Sequence, residues 1–327
     1  LENAGILKKL GLTKEEVAFA WTFTTQSTTR EMKEIRDGLY GHGPFQSLST
    51  SYPANISFLH PLYSEKKAKE LKGKRWILKA EDLRNVLEQL AGILLGGSKE
   101  SQKALLDSYH YIDYFVSGEY VTPYFLAPRD KDGNVVSGDK ELAAGVVPSS
   151  KTFFELDRNT GKMVVGKDNV TWWCAIPKAT DKHKAPFPVN FYGHGYGSTR
   201  FEMLGFAGSL AKFGIATCAI DAVGHGATLD PGDLRVLEAS LGAFGLLGVF
   251  HALSPGRARD LSNDGAANSG GDFWTADTFH TRDVVRQSVI DHMQIIRIMR
   301  SWNGKKKWSI DADGDKVTLQ GAWVCGE

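Results

Sequence analysis

Residues 188–200 read Pro-Val-Asn-Phe-Tyr-Gly-His-Gly-Tyr-Gly-Ser-Thr-Arg, and residues 214–226 read Gly-Ile-Ala-Thr-Cys-Ala-Ile-Asp-Ala-Val-Gly-His-Gly. Each segment is a short apolar run that ends abruptly in Gly-His-Gly. This pattern is typical of buried parallel strands that deliver polar backbone groups to one edge of a sheet. The residues between the runs, 202–213, have helical character. The two runs therefore predict a β-α-β unit and a parallel sheet.

The composition of the chain favours one large globular domain or two smaller ones. It has 327 residues, of which 42% are hydrophobic, and a formal net charge of +1 at pH 7. This near-balance of charge gives no reason to expect nucleic acid or an anionic membrane as a partner. No run is apolar enough to span a bilayer. Because the first residue is Leu1 rather than Met, we expect that the chain begins inside a longer precursor.

Residues 1–107 predict a smaller region of mixed helix and strand. The segments with helical character are 5–19, 28–35, 80–95 and 99–107. An aromatic and β-branched run at 18–25 predicts a strand. From residue 108 the pattern changes to predicted strands, at 111–116, 120–126, 170–177, 189–192 and 215–220. We therefore expect a second domain at 108–327.

Residues 227–280 interrupt the alternation of strands and helices. The stretch is Gly-rich and apolar at 241–250 and polar at 262–271, which predicts an insertion over the edge of the sheet. Two interpretations are open, a mobile apolar-lined lid or a purely structural insertion. A long helix is predicted after it, at 281–300, with Val285, Val289, Met293 and Ile296 at helical spacing.

Three segments, in this order, resemble the α/β-hydrolase superfamily. Phe-Tyr-Gly-His-Gly-Tyr-Gly at 191–197 is similar to its third strand and His-Gly oxyanion loop. Ile-Asp-Ala-Val-Gly-His-Gly-Ala at 220–227 is similar to the turn after its fourth strand, and 279–294 resembles the helix before its nucleophile strand. A shorter segment at 20–27 resembles large secreted bacterial lipase-like proteins, in which it closes an N-terminal β-sandwich region.

The resemblance implies an α/β fold class. The expected architecture is the N-terminal half of an α/β-hydrolase sheet, with 227–280 as a lid-like insertion. A smaller mixed region precedes it, which includes a remnant of a β-sandwich domain. The same resemblance implies that the strands of Cys174 and Cys218, the second and the fourth, are neighbours. A disulfide between them is one alternative, but parallel strands rarely allow its geometry without strain, so we expect free thiols.

The resemblance also implies part of a serine ester hydrolase, either a carboxylesterase or a lipase. Its oxyanion loop would use the backbone N–H groups of Gly195 and Tyr196, with His194 shaping the turn. The family's nucleophile lies on a Gly-x-Ser-x-Gly turn, and this sequence contains no such turn. We expect the nucleophile, the acid and the catalytic His beyond Glu327. We also expect a second polypeptide, or a continuation of the chain, to complete the sheet.

Two further groups of side chains carry separate expectations. His225 is expected to cap the turn after the fourth strand rather than act as a base. Asp311, Asp313 and Asp315 alternate around a Gly turn, which suits either a Ca²⁺ site or a solvated acidic turn. No other cofactor is expected.

Two classes of function follow from these patterns. The first is an ester hydrolase whose substrate is a small-molecule or lipid ester, since the apolar stretch at 241–250 favours lipid-like or aromatic esters. The second is a non-catalytic secreted or surface protein that keeps a hydrolase-like scaffold for binding or assembly. In either case the resemblance implies a secreted, periplasmic or cell-surface location.

Overall fold

A computed structural model describes residues 5–19, 29–70, 75–91, 95–140, 143–253, 256–260 and 267–301, and the backbone of 307–312 and 315–320. The helices are α1 Ile6–Leu10, α2 Arg30–Leu39, α3 Leu48–Ser51, α4 Glu65–Glu70, α5 Ala80–Gln89, α6 Lys99–Ser108, α7 Ala207–Ala211, α8 Pro231–Ala243, α9 Leu247–Leu253 and α10 Thr278–Ser301. Short 3-10 helices lie at Tyr109–Tyr111, Gly138–Lys140, Ser149–Lys151 and Arg200–Gly205. Among the described helices, none is long and apolar enough to cross a bilayer.

The strands are β1 Ile56–Leu59, β2 Leu78–Lys79, β3 Ile112–Tyr124, β4 Leu156–Asp157, β5 Lys162–Met163, β6 Gly166–Pro177, β7 Val189–Tyr192, β8 Ala216–Ile220, β9 Lys307–Ala312 and β10 Asp315–Gln320. Six of them form an open central sheet in the order β1-β3-β6-β8-β7, with β2 also paired to β3. The pairs β4–β5 and β9–β10 are separate antiparallel ribbons. The protein thus has a mixed α/β fold.

The β-α-β unit predicted from the two Gly-His-Gly segments is confirmed. Strands β7 and β8 pair in parallel, with Phe191 opposite Cys218. The expectation of a parallel sheet is otherwise wrong, because the other pairings in the sheet are antiparallel. The reason lies in the connections. Between β3 and β6 the chain makes turns and the β4–β5 ribbon rather than a helical crossover, so β6 returns in the opposite direction.

Strand β3 is continuous where the sequence predicts two strands. The predicted gap falls at Ser117-Gly118, but Gly118 stays in the strand, opposite Trp172 of β6 and Leu59 of β1. A Cβ at Gly118 would lie only 2.5 Å from the carbonyl oxygen of Phe58. The glycine therefore permits a close approach of β1 and does not break the strand.

The central sheet is covered on both faces. Successive residues of β6 face opposite sides, so that Trp173 packs with α5 and α9 while Trp172 packs with α10.

Strands β1 and β2, which lie before residue 108, are part of the same sheet. The domain boundary expected after residue 107 stays a prediction. Of the strand predicted at 18–25, residues 20–25 lie outside the described part of the chain.

Helix α10 confirms the predicted helix and begins three residues earlier. The Asp277 carboxylate accepts hydrogen bonds from the N–H groups of Phe279 and His280, at 3.0 and 3.1 Å, which is typical of a helix N-cap. The regularly spaced Val285 and Val289 are exposed on this helix. The buried side combines apolar residues with an almost equal share of polar ones, which are His280, Asp283, Gln287, Ser288, Asp291 and Gln294.

Hydrogen bonds to the rest of the protein explain how the polar side chains of α10 can be buried. The Asp291 carboxylate accepts from Thr122 Oγ1 at 3.0 Å, from Gln287 Nε2 at 2.8 Å and from Arg257 Nη1 at 2.6 Å. Gln287 Oε1 accepts from the backbone N–H of Phe125 at 2.9 Å. Because Gln287 and Asp291 are paired in this way, their polar groups can be buried against the sheet together with the apolar residues of the helix.

Cys174 and Cys218 form a disulfide, so the expectation of free thiols is wrong. The expectation rested on parallel strands, whereas β6 and β8 are antiparallel and place the two cysteines directly opposite one another. Their Cα atoms are 4.1 Å apart. Cross-strand neighbours in an antiparallel pair come this close when they do not exchange backbone hydrogen bonds.

Candidate functional site

The loop after β7 and the turn after β8 form the candidate site. Because the two strands are parallel neighbours, the segments that follow them emerge at the same edge of the sheet. The rings of His194 and His225, one from each Gly-His-Gly segment, lie 4.9 Å apart between centroids. The structure therefore brings together the two motifs that the sequence singled out.

His194 connects the two segments through Nε2 of its ring, while Nδ1 bonds within its own segment. The backbone N–H of Ala222 donates to Nε2 at 2.9 Å, and Nδ1 lies 2.9 Å from the carbonyl oxygen of Gly195. Since Nε2 accepts a hydrogen bond, Nδ1 carries the proton and donates it. The ring thereby holds the loop after β7 to the turn after β8.

The N–H groups of Gly195 and Tyr196 differ in their availability. The Gly195 N–H points to Glu202 Oε2, at 3.4 Å. The Tyr196 N–H has no hydrogen-bond partner among the described residues. The side chain of Tyr196 is 63% exposed and packs near Phe273 and Trp274, with ring centroids 6.2 and 6.4 Å away. The Tyr196 N–H is thus the better placed of the two to bind a ligand oxygen.

A buried ion pair anchors the far end of the same loop. The Arg200 guanidinium contacts the Asp221 carboxylate, which also accepts the backbone N–H of Arg200 at 2.7 Å. Arg200 Nη2 further donates to the carbonyl oxygens of Ala252 and Leu253, at 3.0 and 3.1 Å. Arg200 therefore ties together the loop after β7, the turn after β8 and the end of α9.

Glu202 supports the loop from the other side. Its Oε2 accepts a hydrogen bond from the Tyr192 hydroxyl at 2.6 Å, in addition to the Gly195 N–H. Hydrogen bonds from Ser198 and Tyr192 lower the pKa of the Glu202 carboxyl below its ordinary value. The carboxylate is therefore ionised at neutral pH.

His225 is buried in the turn that it was expected to cap. Its Nδ1 lies 2.9 Å from the carbonyl oxygen of Val223, so Nδ1 donates and Nε2 holds a lone pair. Within the described part of the chain, Nε2 has no hydrogen-bond partner. It faces Gly270, where a Cβ would come within 2.9 Å of it and φ is +79°. Burial lowers the pKa of His225 below its ordinary value.

A cavity of about 620 Å³ lies beside the loop. Part of its lining comes from Gly197, Ser198, Thr199 and Glu202 of the site, and from Thr228 after the second Gly-His-Gly segment. The rest is largely aliphatic and aromatic, including Leu83, Val86, Leu87, Leu105, Phe201, Leu204, Leu229, Leu234, Leu237, Leu241, Val249, Phe250 and Leu253. This volume is in the range that binds small organic ligands.

Helices α8 and α9, within the predicted insertion at 227–280, form one wall of this cavity. Several contacts hold the segment to the body of the protein. The Ser64 N–H donates to the Gly245 carbonyl oxygen at 2.8 Å, and a Cβ at Gly248 would lie 1.8 Å from the carbonyl oxygen of Pro61. The insertion therefore encloses apolar space next to the site, and its opening as a lid stays a prediction.

The acidic cluster proposed for Ca²⁺ lies partly outside the described residues. Asp313 is not described, and only the backbone of Asp311 and Asp315 is, in β9 and β10. In that hairpin, Asp311 is opposite Lys316 and Asp315 is opposite Ala312. Where side chains are described, no group of three or more His, Cys, Asp or Glu residues is arranged to hold a metal ion.

The sequence did not single out Arg200, Glu202 or Gly270 as site residues. None of the three carried a clear sequence signal, because their roles depend on contacts that only the folded chain makes, such as the Arg200–Asp221 ion pair. Comparison of the chain with protein-family models, with curated proteins and with solved structures found no match.

Proposed function

We propose that this chain supplies the oxyanion loop and the acyl-binding cavity of a serine ester hydrolase, either a carboxylesterase or a lipase. The observation that carries the proposal is the N–H of Tyr196, which no described residue accepts and which lies on a fixed loop beside a large apolar cavity. Such an N–H stabilises the negative oxygen that develops when an ester carbonyl is attacked. The adjacent cavity provides space for an apolar acyl chain.

The arrangement of the sheet supports the same proposal. The resemblance to α/β-hydrolases implies that the second and fourth strands are neighbours, and β6 and β8 are neighbours in the sheet. The parallel β7–β8 pair, with its short helical crossover through α7, also agrees with that resemblance. We further propose that another strand, from a second polypeptide or from another segment, pairs with β7, the end strand of the described sheet.

We propose a secreted, periplasmic or cell-surface location. The Cys174–Cys218 disulfide supports it, because disulfides persist mainly in oxidising compartments.

The test uses the protein purified from its natural source. Hydrolysis of p-nitrophenyl esters is measured before and after treatment with a serine-reactive fluorophosphonate. We expect hydrolysis that the fluorophosphonate abolishes. Absence of hydrolysis above the buffer rate, in a preparation with a cooperative unfolding transition, would overturn the proposal. Peptide mapping of the labelled serine then identifies the nucleophile, and labelling within residues 1–327 would contradict our prediction that it lies elsewhere.

A second candidate is a non-catalytic binding or assembly protein. One observation favours it: the Gly195 N–H is directed to an ionised carboxylate, that of Glu202. A negative charge next to an oxyanion loop opposes the negative charge of an ester-hydrolysis intermediate. Binding of an apolar ligand without any turnover would support this candidate.

A further inference from the structure

Among the described residues that line the large cavity, Glu202 is the only charged one. The residue is exposed to solvent as well as lining the cavity, so its carboxylate lies at the opening. The other polar side chains of the described lining, among them Ser198, Thr199 and Thr228, are uncharged. The described lining therefore combines an apolar interior with a negatively charged entrance.

The position of this carboxylate is fixed by its hydrogen bonds. The Tyr192 hydroxyl, at 2.6 Å, and the Gly195 N–H, at 3.4 Å, both donate to Oε2. No lysine, arginine or histidine occurs in the described lining to balance the charge. A head group that enters behind an apolar chain therefore comes to rest beside a negative charge that no cationic side chain of the described lining neutralises.

We propose that this cavity takes single-chain amphiphiles with an uncharged or cationic head group, rejects those with a carboxylate head group, and owes this selection to Glu202. The proposal rests on the proposed function only in placing an acyl chain in the same cavity. Its consequence for an ester hydrolase is that the neutral ester enters readily, whereas the fatty-acid anion produced by hydrolysis is repelled from the entrance.

Ligand binding, rather than turnover, provides the test. The uncharged fluorescent probe N-phenyl-1-naphthylamine is bound to the full chain at neutral pH. It is then displaced by dodecanol, dodecylammonium or dodecanoate, the alcohol below its solubility limit and the two ions below their micelle-forming concentrations. We expect dodecanoate to bind about tenfold more weakly than dodecanol, and dodecylammonium to bind at least as tightly as dodecanol. High salt should reduce these differences in affinity, because the Glu202 charge at the entrance is open to solvent and is screened by ions.

Two variants assign the effect to Glu202. In Glu202→Gln, which keeps the shape of the side chain, dodecanoate and dodecanol should bind within about threefold of each other. The matched control is Glu238→Gln, which removes a charge from an exposed position of α8 that does not line the cavity. It should leave the selectivity of the wild type unchanged. Thermal unfolding of each variant verifies that it is folded.

A third variant locates the ligands. Leu234→Trp enlarges a half-buried side chain in the cavity wall, and it should weaken the binding of all three ligands without changing their ratios. Equal affinities for the three in the wild type, or discrimination that persists in Glu202→Gln, would overturn the proposal. The proposal would also be overturned if Leu234→Trp left the three affinities unchanged, or if none of the three ligands displaced the fluorescent probe. None of these results depends on ester hydrolysis, so failure of the selection is distinct from failure of the proposed function.

Discussion

Arg200 and Asp221 form a buried ion pair that joins the loop after β7 to the turn after β8. Both residues are almost completely shielded from solvent. The pair lies between the loop that carries His194 and the end of α9, to which Arg200 also donates two hydrogen bonds. The geometry of the candidate site therefore depends on a contact between residues 21 positions apart in the sequence.

Removal of the Arg200 charge should destabilise the protein strongly. Arg200→Met leaves the Asp221 carboxylate buried and unpaired, which typically costs about 3–5 kcal/mol in the free energy of unfolding. Urea unfolding followed by circular dichroism measures the loss. The double variant Arg200→Met with Asp221→Asn should recover part of it, because no charge is then left buried. A loss below about 1 kcal/mol in the single variant would show that the pair is not buried in solution.

Removal of the disulfide should also lower stability. The bond links residues 44 positions apart, and the loss of loop-closure entropy from the unfolded chain predicts about 4 kcal/mol for a loop of this length. Urea unfolding of the variant with Cys174→Ala and Cys218→Ala measures the difference. Alkylation of the unfolded wild type without reductant should add one alkyl group per chain. Three added groups would contradict the disulfide.

Loss of the Tyr196 N–H should impair ester hydrolysis. Tyr196→Pro removes this donor, and the loss of one oxyanion-hole donor typically lowers kcat about 10²- to 10³-fold. The matched control is Tyr196→Ala, which keeps the N–H and removes only an exposed ring. Steady-state kinetics on p-nitrophenyl esters compares the two variants. If both lose activity equally, the aromatic side chain rather than the N–H is responsible.

The buried His225 should make stability depend on pH between 7 and 5. Burial lowers the pKa of His225 in the folded protein, so on acidification the unfolded chain binds a proton that the folded chain excludes. Stability should therefore fall as the pH drops through the ordinary histidine value, with a slope of at most about 1.4 kcal/mol per pH unit from this residue.

His225→Phe is the variant that isolates this effect. It keeps an aromatic ring against Phe273, whose ring centroid lies 4.9 Å from that of His225. It is expected to be less stable overall, because the carbonyl oxygen of Val223 loses its hydrogen bond. The decisive measurement is the difference in slope between the two proteins from pH 7 to pH 5. Parallel curves would show that His225 does not control the pH dependence.

The local parts of the fold could be predicted from the sequence, whereas its long-range pairings could not. Short apolar runs that end in glycine are sufficient to identify β7 and β8, because the strand ends and the turns are encoded within a few residues. The antiparallel direction of β6 depends on the whole path of the chain from residue 125 to residue 165, which the local turns within it do not determine. The same limitation led to the wrong expectation for Cys174 and Cys218.

In the candidate site, too, local features could be predicted and long-range contacts could not. The sequence indicated the two Gly-His-Gly segments, and the structure places their imidazole rings next to each other. It did not indicate which backbone N–H is available, since that depends on the Glu202 carboxylate reaching back to Gly195. In α10, apolar periodicity located the helix but not its buried side, because hydrogen bonds from β3 and Arg257 decide which side faces the sheet.

The polar side of α10 has a consequence for how the protein could be redesigned. Apolar contacts are non-directional, so leucines alone define the rotation of a helix about its axis less sharply than paired polar groups do. A helix held through Gln287 and Asp291 has only one rotational setting in which its buried amide and carboxylate are satisfied. A designer who replaced these residues with aliphatic ones would gain tolerance to sequence change and lose the feature that fixes the helix in a single orientation.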